Sequence, residues 1–321
     1  MADERAETGG TDATPRRRWR FRGSTGKRWL VLGFDALARV LPFPLLRASV
    51  TALIQAFRWS WVWPRQPGRI ACEDVTLLAA RAGIVHEPRA IYERLLDQFQ
   101  AMGVAFLAMR RGRADATLER AAFTHDDQLK IEELLKQYGG LVLAVPHNVG
   151  AVAASLALAS VVPTLVVAKG QKNPRRQALT REFFAQTGVD VMMVRESQAV
   201  ALARACLRAL KDGRVVVATL DLLYRKPNRV PVRMFGEEVG LAPWAHRFAV
   251  QRQVPLLPCY IRIDDGRLHV EWGDPLVSDS VEALVEHYAR VLEGWVLRDP
   301  GSWGFLLDKR WRRVLRAAAS R

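Results

Sequence analysis

Short runs of apolar residues alternate with amphipathic stretches from about residue 128 onward. Four of these runs stand at residues 141–145 (LVLAV), 163–168 (PTLVVA), 189–194 (VDVMMV) and 215–220 (VVVATL). Runs of this length that are apolar at nearly every position are typical of parallel strands buried on both faces. The stretches at residues 128–138, 175–187 and 198–211 are predicted to form helices. The alternation predicts an α/β fold, with a central mixed, mostly parallel sheet flanked by helices.

The first sixty or so residues follow a different pattern. Residues 1–14 are small and polar, a basic stretch follows them, and we expect residues 1–26 to be disordered. Residues 27–63 are largely apolar, but charged residues and the prolines at positions 42 and 44 interrupt them. Neither half therefore supplies the roughly 20 nearly uncharged residues of a transmembrane helix.

Two shorter helices, at roughly 27–41 and 44–60, fit this apolar segment better. Apolar faces flanked by arginine and tryptophan are typical of helices that lie in or on the bilayer interface, so we expect a membrane-associating segment. An ordinary buried helical hairpin is the alternative. Two amphipathic helices, at 73–83 and 88–111, then begin the α/β domain, which we place at residues 64–321.

The formal net charge is +15, and it is concentrated at the two ends of the chain. Residues 16–28 carry seven Lys or Arg and residues 309–321 carry six, without any acid, so the rest of the chain is nearly neutral. Such basic ends suit anionic phospholipid headgroups, and they would also suit nucleic-acid phosphates. The apolar segment beside the first basic end favours a membrane surface. Helix-turn-helix, RNA-recognition and zinc-finger patterns are absent from the sequence, so we expect no nucleic-acid partner.

Cysteine and histidine spacing argues against a metal site. Cys72, Cys206 and Cys259 are widely spaced, and no CxxC occurs. We therefore expect neither a disulfide framework nor a zinc site, and a reducing, cytosol-facing location fits. His246 and His269 have no partner at metal-ligand spacing, and the sequence has no glycine-rich nucleotide loop. We expect no metal and no cofactor.

Polar residues follow the predicted strands directly. His147 comes after the strand at 141–145, and Lys169, Arg195 and Asp221 end the next three strands. Because the carboxyl ends of parallel strands meet at one edge of a sheet, these four side chains would surround one cleft. The small-residue helix after His147 would present free N–H groups there, and these could stabilise a developing oxyanion. The alternative is that strand ends are polar simply because they are solvated.

A basic loop follows Asp221 in the sequence. Its cations are Arg225, Lys226 and Arg229. They could bind a phosphate, either on a lipid or on the phosphopantetheine arm of a carrier. A solvated hairpin with no ligand is the alternative.

Four features of the chain occur in a set order. They are the turn VPHNVGA; Lys172-Asn173-Pro174; the strand ending in Asp221 with its basic stretch, Met234-Phe235-Gly236 and the strand LLPCYIR; and a tail with Asp299-Pro300-Gly301-Ser302-Trp303 and Asp308-Lys309-Arg310-Trp311. Their order and spacing, over about residues 27 to 313, resemble the late acyltransferases of lipid A biosynthesis. These are the lauroyl and myristoyl transferases, together with the relatives that acylate phosphatidylinositol mannosides.

The resemblance implies an acyltransferase that needs no covalent acyl-enzyme. His147 would act as general base on the hydroxyl of a lipid or glycolipid acceptor, and the alkoxide would attack the thioester of acyl-carrier protein or coenzyme A. The enzyme would work at the inner (cytoplasmic) membrane, peripheral or N-terminally anchored, and facing the cytoplasm. The substrate-binding candidates at this edge and in these motifs are Asn148, Lys169, Lys172, Asn173, Arg195, Arg225, Lys226, Arg229, Phe235 and Gly236.

The sequence departs from the family's pattern at one position. The family carries a carboxylate five residues after the histidine, on the same helix face, and Val152 stands there in this chain. Three explanations are open. Asp221 could supply the carboxylate from the nearby strand end, which makes it the second catalytic candidate. His147 could instead work without a partner, aided by oxyanion donors, or the protein could bind acyl groups or lipids without transferring them.

Overall fold

The computed structural model describes residues 41–111, 123–170, 173–186, 189–194 and 199–321. The chain divides into two compact units, Met1–Leu41 and Pro42–Arg321, and the helices and strands described belong to the second. The predicted disordered residues 1–26 lie outside the described residues, and so does the predicted helix at 27–41 apart from its last residue.

Three helices precede the sheet. Helix α1 spans Phe43–Trp59 and is followed by the 3₁₀ turn Ser60–Val62, α2 spans Pro67–Arg81, and α3 spans Pro88–Arg110. Each has a proline in its first turn, where the missing N–H costs no helical hydrogen bond. Helices α1 and α2 both pack against α3.

Helix α1 confirms the helix predicted at 44–60, and it is apolar on two sides. Its buried side is made of Leu46, Val50 and Ile54. Gly103 allows α3 to come close, since a Cβ at that position would lie 3.1 Å from Val50 Cγ1. Large apolar side chains on the other side and just beyond the helix stay exposed, and these are Leu45, Leu53, Phe57, Trp59, Val62 and Trp63. Within the described residues, every helix is too short or too polar to cross a bilayer.

Helices and strands alternate through the rest of the chain. The first part contains α4 His125–Tyr138, β1 Leu141–Val145, α5 Ala151–Val161, β2 Thr164–Lys169, α6 Pro174–Gln186, β3 Asp190–Val194, α7 Ala199–Lys211 and β4 Val215–Thr219. The second part contains β5 Val230–Met234, β6 Glu237–Leu241, α8 Trp244–Arg252, β7 Leu256–Asp264, β8 Arg267–Trp272, α9 Val281–Arg298 and α10 Lys309–Ala319. The 3₁₀ turns Pro300–Ser302 and Gly304–Leu307 connect α9 to α10.

Six of the described strands form one sheet in the order β3-β2-β4-β1-β7-β8, and β5 and β6 form a separate hairpin. Neighbouring strands of the sheet are parallel, except for the antiparallel pair β7 and β8. Strand β1 lies between β4 and β7, and all of its residues are buried. Its side chains pack in the core with apolar residues of α4 and α5, among others. The predicted mixed, mostly parallel α/β sheet is confirmed.

Helix α4 begins earlier than the predicted start at residue 128, because Thr124 caps it. The Thr124 hydroxyl accepts a 3.1 Å hydrogen bond from the N–H of Asp127. The Asp127 carboxylate accepts a 3.0 Å bond from the N–H of Thr124 in return. This reciprocal capping box satisfies two backbone donors at the helix start. It therefore extends the helix to polar residues before position 128, which the apolar periodicity alone did not include. Gly139, at φ 67°, ends the helix as predicted.

The basic C-terminal helix α10 is docked against α2. Trp311 is buried, and Arg316 Nε lies 2.9 Å from each carboxylate oxygen of Asp74. Arg81 of α2 donates a 2.8 Å hydrogen bond to the carbonyl of Ala318. Burial raises the pKa of Asp74, and Arg316 opposes that shift. Part of the basic C-terminus thus serves the packing of the domain.

Candidate active site

The register of the sheet places His147 and Asp221 side by side. Val145 of β1 is paired with Thr219 of β4 across parallel strands. His147 and Asp221 each stand two residues beyond that pair, at the carboxyl edge of the sheet. They are 74 positions apart in the sequence and adjacent in space because β1 and β4 are neighbours.

The Asp221 carboxylate binds both the side chain and the backbone of His147. Its Oδ1 is hydrogen-bonded to His147 Nδ1, and its Oδ2 accepts a 2.8 Å bond from the His147 N–H. The Asp221 side chain is fully buried, whereas 32% of the His147 side chain is exposed. Among the described residues, no group is hydrogen-bonded to His147 Nε2. A carboxylate at Nδ1 keeps the proton on that nitrogen and leaves the Nε2 lone pair for an incoming proton.

Two tryptophans of the C-terminal segment also bind Asp221. Trp303 Nε1 donates a 2.8 Å hydrogen bond to Asp221 Oδ2, and Trp311 Nε1 donates a 2.8 Å bond to the Asp221 carbonyl. Both indoles are buried, and their centroids lie 5.1 Å apart at an interplanar angle of 70°. The sequence placed both residues in the tail motif without a role. The only feature of the sequence that could have indicated a role is the indole N–H, because a buried tryptophan usually donates it to an acceptor.

The residues after Trp303 form one wall of the site. The ring of Phe305 stacks on the His147 imidazole, with centroids 3.7 Å apart and an interplanar angle of 13°. Gly304 donates its N–H to the His147 carbonyl at 2.8 Å. A Cβ at position 304 would also lie 2.8 Å from that carbonyl oxygen, so this approach requires glycine. Sequence analysis missed Phe305 and Gly304, because neither carries a catalytic group.

Asn148 holds the histidine turn in place. Its Nδ2 donates a 3.0 Å hydrogen bond to the Ser302 carbonyl, and its Oδ1 accepts a 3.1 Å bond from the Ile261 N–H. The residue is buried. Both ends of the amide are thus engaged between β7 and the C-terminal segment, and the substrate contact predicted for Asn148 stays a prediction.

Val152 lies in the first turn of α5 and is partly exposed. An apolar side chain at this position has no polar atom to offer the imidazole. The carboxylate on Nδ1 comes instead from the end of β4, through Asp221. This geometry favours the first of the three explanations, in which Asp221 supplies the acid that the helix lacks.

The other predicted strand-end residues are not all brought together. Lys169 ends β2 and is exposed, on the side of β4 away from β1, so it lies across Asp221 from His147. Asn173 is half-buried, and its carbonyl accepts a 2.9 Å bond from the Gln177 N–H at the start of α6. Two further candidates, Lys172 and Arg195, lie outside the described residues.

Phe235 and Gly236 form the turn of the β5–β6 hairpin. Their φ angles are 54° and 80°, and positive φ at both central residues is typical of a type I′ turn. Phe235 is buried with its ring edge-on to Trp311, at a centroid distance of 6.1 Å. Phe235 therefore packs behind the C-terminal tryptophan, and its ring is not open to the substrate that the sequence predicted it to bind. Gly236 is exposed.

The basic loop leaves the site directly from Asp221. Arg225, Lys226 and Arg229 are all exposed. Arg310 of α10 joins this side of the molecule, since its Nη1 donates a 3.2 Å hydrogen bond to the carbonyl of Leu223. The sequence assigned Arg310 to the tail motif only. The anionic ligand predicted for Arg225, Lys226 and Arg229 stays a prediction.

Two titratable side chains of β7 stay neutral. Burial raises the pKa of the Tyr260 hydroxyl well above its usual value, and this hydroxyl donates a 2.6 Å hydrogen bond to the Asp299 carbonyl. Burial also raises the pKa of the Cys259 thiol. Neither group therefore acts as a base or a nucleophile near neutral pH.

Comparison with known proteins identifies the family. Residues 15–313 match the family model described as bacterial lipid A biosynthesis acyltransferase. No curated protein matches the chain. The matched region includes the histidine turn, Asp221 and both tryptophans of the C-terminal segment. Because the match extends over nearly the whole chain, the protein belongs to the bacterial lipid A biosynthesis acyltransferase family.

Proposed function

We propose that this acyltransferase moves a fatty acyl group from an acyl-carrier-protein or coenzyme A thioester to a hydroxyl of a lipid or glycolipid, at the cytoplasmic face of the inner membrane. The family supports acyl transfer of the lipid A biosynthesis type. One observation carries the mechanism: the buried Asp221 carboxylate binds His147 Nδ1 and leaves Nε2 available as a base.

The proposed reaction needs one proton shuttle and no acyl-enzyme. His147 Nε2 takes the proton of the acceptor hydroxyl while the oxygen attacks the thioester carbonyl. The tetrahedral intermediate collapses with cleavage of the carbon–sulfur bond, and the leaving thiolate takes the proton back from Nε2. Asp221 stabilises the imidazolium that exists between these two steps.

Negative charge on the tetrahedral oxygen can be met by the backbone of α5. This helix begins at Ala151, a few residues after His147, and its N-cap Gly150 makes no side-chain cap hydrogen bond. The first N–H groups of a helix lack intrahelical acceptors and carry the positive end of the helix dipole. The Ala151 N–H already donates to the Asn148 carbonyl at 3.2 Å, so the N–H groups that follow it in the first turn are the ones suited to an oxyanion beside the imidazole.

Membrane association is supported by the surface at the end of α1. An apolar depression there is lined by Leu53, Phe57 and Trp63, with Arg65 among its polar residues. Trp59, at the end of the same helix, is 76% exposed. Exposed aromatic side chains beside cations are typical of surfaces that contact lipid headgroups.

A second candidate function is binding without transfer, by a catalytically inactive member that holds a lipid or an acyl-carrier protein. Val152 favours it, because the family's usual acid is missing there. The His147–Asp221 contact favours the enzyme, because a second carboxylate has taken that place.

A turnover assay separates the two functions. Radiolabelled acyl-carrier protein and a total lipid extract are incubated with the full chain, with His147→Gln and with His269→Gln, a control at an exposed histidine of β8. We expect label in a lipid band with the wild type and with the control. The His147→Gln variant should be slower by about 100-fold or more, since it lacks the base.

Each other outcome has a defined meaning. Full activity of His147→Gln would overturn the mechanism. Retention of the labelled carrier without any lipid product would favour the binding function. If the carrier is neither consumed nor retained, the same comparison is made with coenzyme A thioesters, and a second negative result would reject acyl transfer.

A further inference from the structure

We propose that Trp303 is a positioning residue of the active site: its indole N–H fixes the Asp221 carboxylate in the orientation that keeps a proton on His147 Nδ1. The role rests on the proposed function, because the tautomer matters for activity only where His147 acts as a base. Trp303 would touch neither substrate nor reacting atoms and would act through Asp221.

The donors around the carboxylate carry the inference. Oδ2 receives the His147 N–H and the Trp303 indole N–H, each at 2.8 Å, and Oδ1 is left for the imidazole. The Asp221 side chain has no exposed surface, so water cannot replace a lost donor. Without the indole, Oδ2 would keep one backbone donor, and rotation of the carboxylate about its bond to Cβ would be less restricted. Its hold on Nδ1 would weaken accordingly.

The position of the Trp303 indole is fixed by its burial, by Trp311 and by the turn that precedes it. Trp303 is completely buried and packs edge-on against Trp311. The preceding turn is anchored to α3, since Asp299 binds Arg94 at 2.7 and 3.1 Å and Gln98 Nε2 donates to Ser302 Oγ at 3.0 Å. Helix α3 thereby sets the position of the N–H that reaches Asp221.

A purely structural role is the competing explanation, because any buried tryptophan supports the fold. The chain offers a matched control. Trp295 of α9 is also buried, and its Nε1 donates a 2.7 Å hydrogen bond to a carboxylate, that of Glu271. Trp295→Phe and Trp303→Phe each keep an aromatic ring in place and remove one indole–carboxylate hydrogen bond. Only Trp303→Phe removes that bond from the carboxylate that binds His147.

The tautomer of His147 distinguishes the two explanations, because a change in packing alone would not alter it. Full-length protein labelled with ¹⁵N-histidine is studied at pH 8 by two-bond ¹H–¹⁵N correlation, and His147→Gln identifies the His147 signals. We expect a protonated Nδ1 and an unprotonated Nε2 in the wild type and in Trp295→Phe. In Trp303→Phe we expect a mixture of both tautomers. A wild-type pattern in folded Trp303→Phe would overturn the proposal.

A second variant covers the case in which Trp303→Phe does not fold. Asp221→Asn replaces the charged acceptor of the Trp303 indole by a neutral amide, which is a weaker partner. We expect the Trp303 indole proton to move upfield while that of Trp295 stays in place. An unmoved Trp303 signal would show that the indole does not bind this carboxylate.

Kinetics then connect the tautomer to transfer. With labelled acyl-carrier protein and the lipid extract, Trp303→Phe should lower kcat by about 10- to 100-fold with little change in KM, the range for one hydrogen bond to a charged group. Trp295→Phe should keep the wild-type kcat. An unchanged kcat in Trp303→Phe would contradict the role. If the wild type transfers nothing from any thioester, the proposed function fails, and the tautomer comparison still decides whether Trp303 positions Asp221.

Discussion

Asp221 accepts hydrogen bonds from three N–H groups at its carboxylate while it is excluded from water. Two of them, from the His147 backbone and Trp303, meet at Oδ2, and the imidazole occupies Oδ1. A carboxylate can accept from all of these donors because it has no proton of its own to place. The two oxygens thus have different environments, and an amide in the same position would have only one favourable orientation.

Asp221→Asn should therefore impose the wrong tautomer. The two donors at the Oδ2 position select the amide oxygen, so the amide NH₂ faces Nδ1 and forces the histidine proton onto Nε2. We expect kcat to fall by about 10³-fold or more in the transfer assay. Asp212→Asn, at an exposed acid after α7, serves as the control. A rate close to wild type would remove Asp221 from the mechanism and favour an unassisted histidine.

At the scale of a secondary-structure element, α8 carries a buried histidine. His246 has no exposed surface, and its ring lies 6.3 Å from that of Tyr288 on α9. Burial lowers the pKa of His246 to about 3, with a smaller opposing contribution from the backbone of Ala242. The helix therefore packs with a neutral imidazole, and unfolding at mildly acidic pH allows that imidazole to take up a proton.

This difference predicts a pH dependence of stability. Below pH 6.5 and down to about 3, the unfolded state binds a proton at His246 that the folded state does not. As the pH decreases through this range, the free energy of unfolding should decrease by about 1.4 kcal/mol per pH unit from this residue alone. Urea denaturation between pH 7.5 and 4.5 should give a smaller fall for His246→Leu than for the wild type. His269→Leu, at an exposed site, should keep the wild-type slope, and equal slopes in all three proteins would contradict the prediction.

At the scale of the whole molecule, the end of the chain completes a site that its middle begins. The strand ends supply His147 and Asp221, and the segment from Pro300 onward returns to the same edge to contact both. Helix α3, from the N-terminal part, holds that segment through Arg94 and Gln98. Residues Met1–Leu41 form a separate unit, so removal of the basic N-terminus should leave this assembly in place.

Deletion of residues 1–28 tests that separation. We expect retention on anionic vesicles at low salt to weaken, because the deleted segment carries eight of the basic residues, while the melting temperature stays close to wild type. Vesicle sedimentation and thermal melts measure the two properties. A matched variant, Trp59→Ser with Trp63→Ser, removes exposed apolar surface and keeps the basic end. Unchanged retention after the deletion, with a loss in the tryptophan variant, would assign the anchoring to the apolar surface.

Local pattern was enough to predict much of the architecture. Buried strands such as β1 are apolar at every position, and helices such as α4 repeat apolar residues on one face, so period and length identified them. The start of α4 lies before the predicted position because Thr124 and Asp127 form reciprocal hydrogen bonds, which the apolar pattern does not reveal. His147 was found because a polar residue directly after a buried strand lies at the ligand-binding edge.

The sequence by itself determined the fold class, the position of His147 at a strand end and the absence of an acid at position 152. Only the tertiary structure decided that Asp221 binds Nδ1, that Trp303 and Trp311 both bind Asp221, and that Asn148 and Phe235 are buried. The physical reason is the distance along the chain. Strand order and register join His147 and Asp221, which are 74 positions apart, and the returning C-terminal segment brings Trp303 to Asp221 over 82 positions. Such long-range contacts leave no periodic trace in the local pattern of apolar and polar residues.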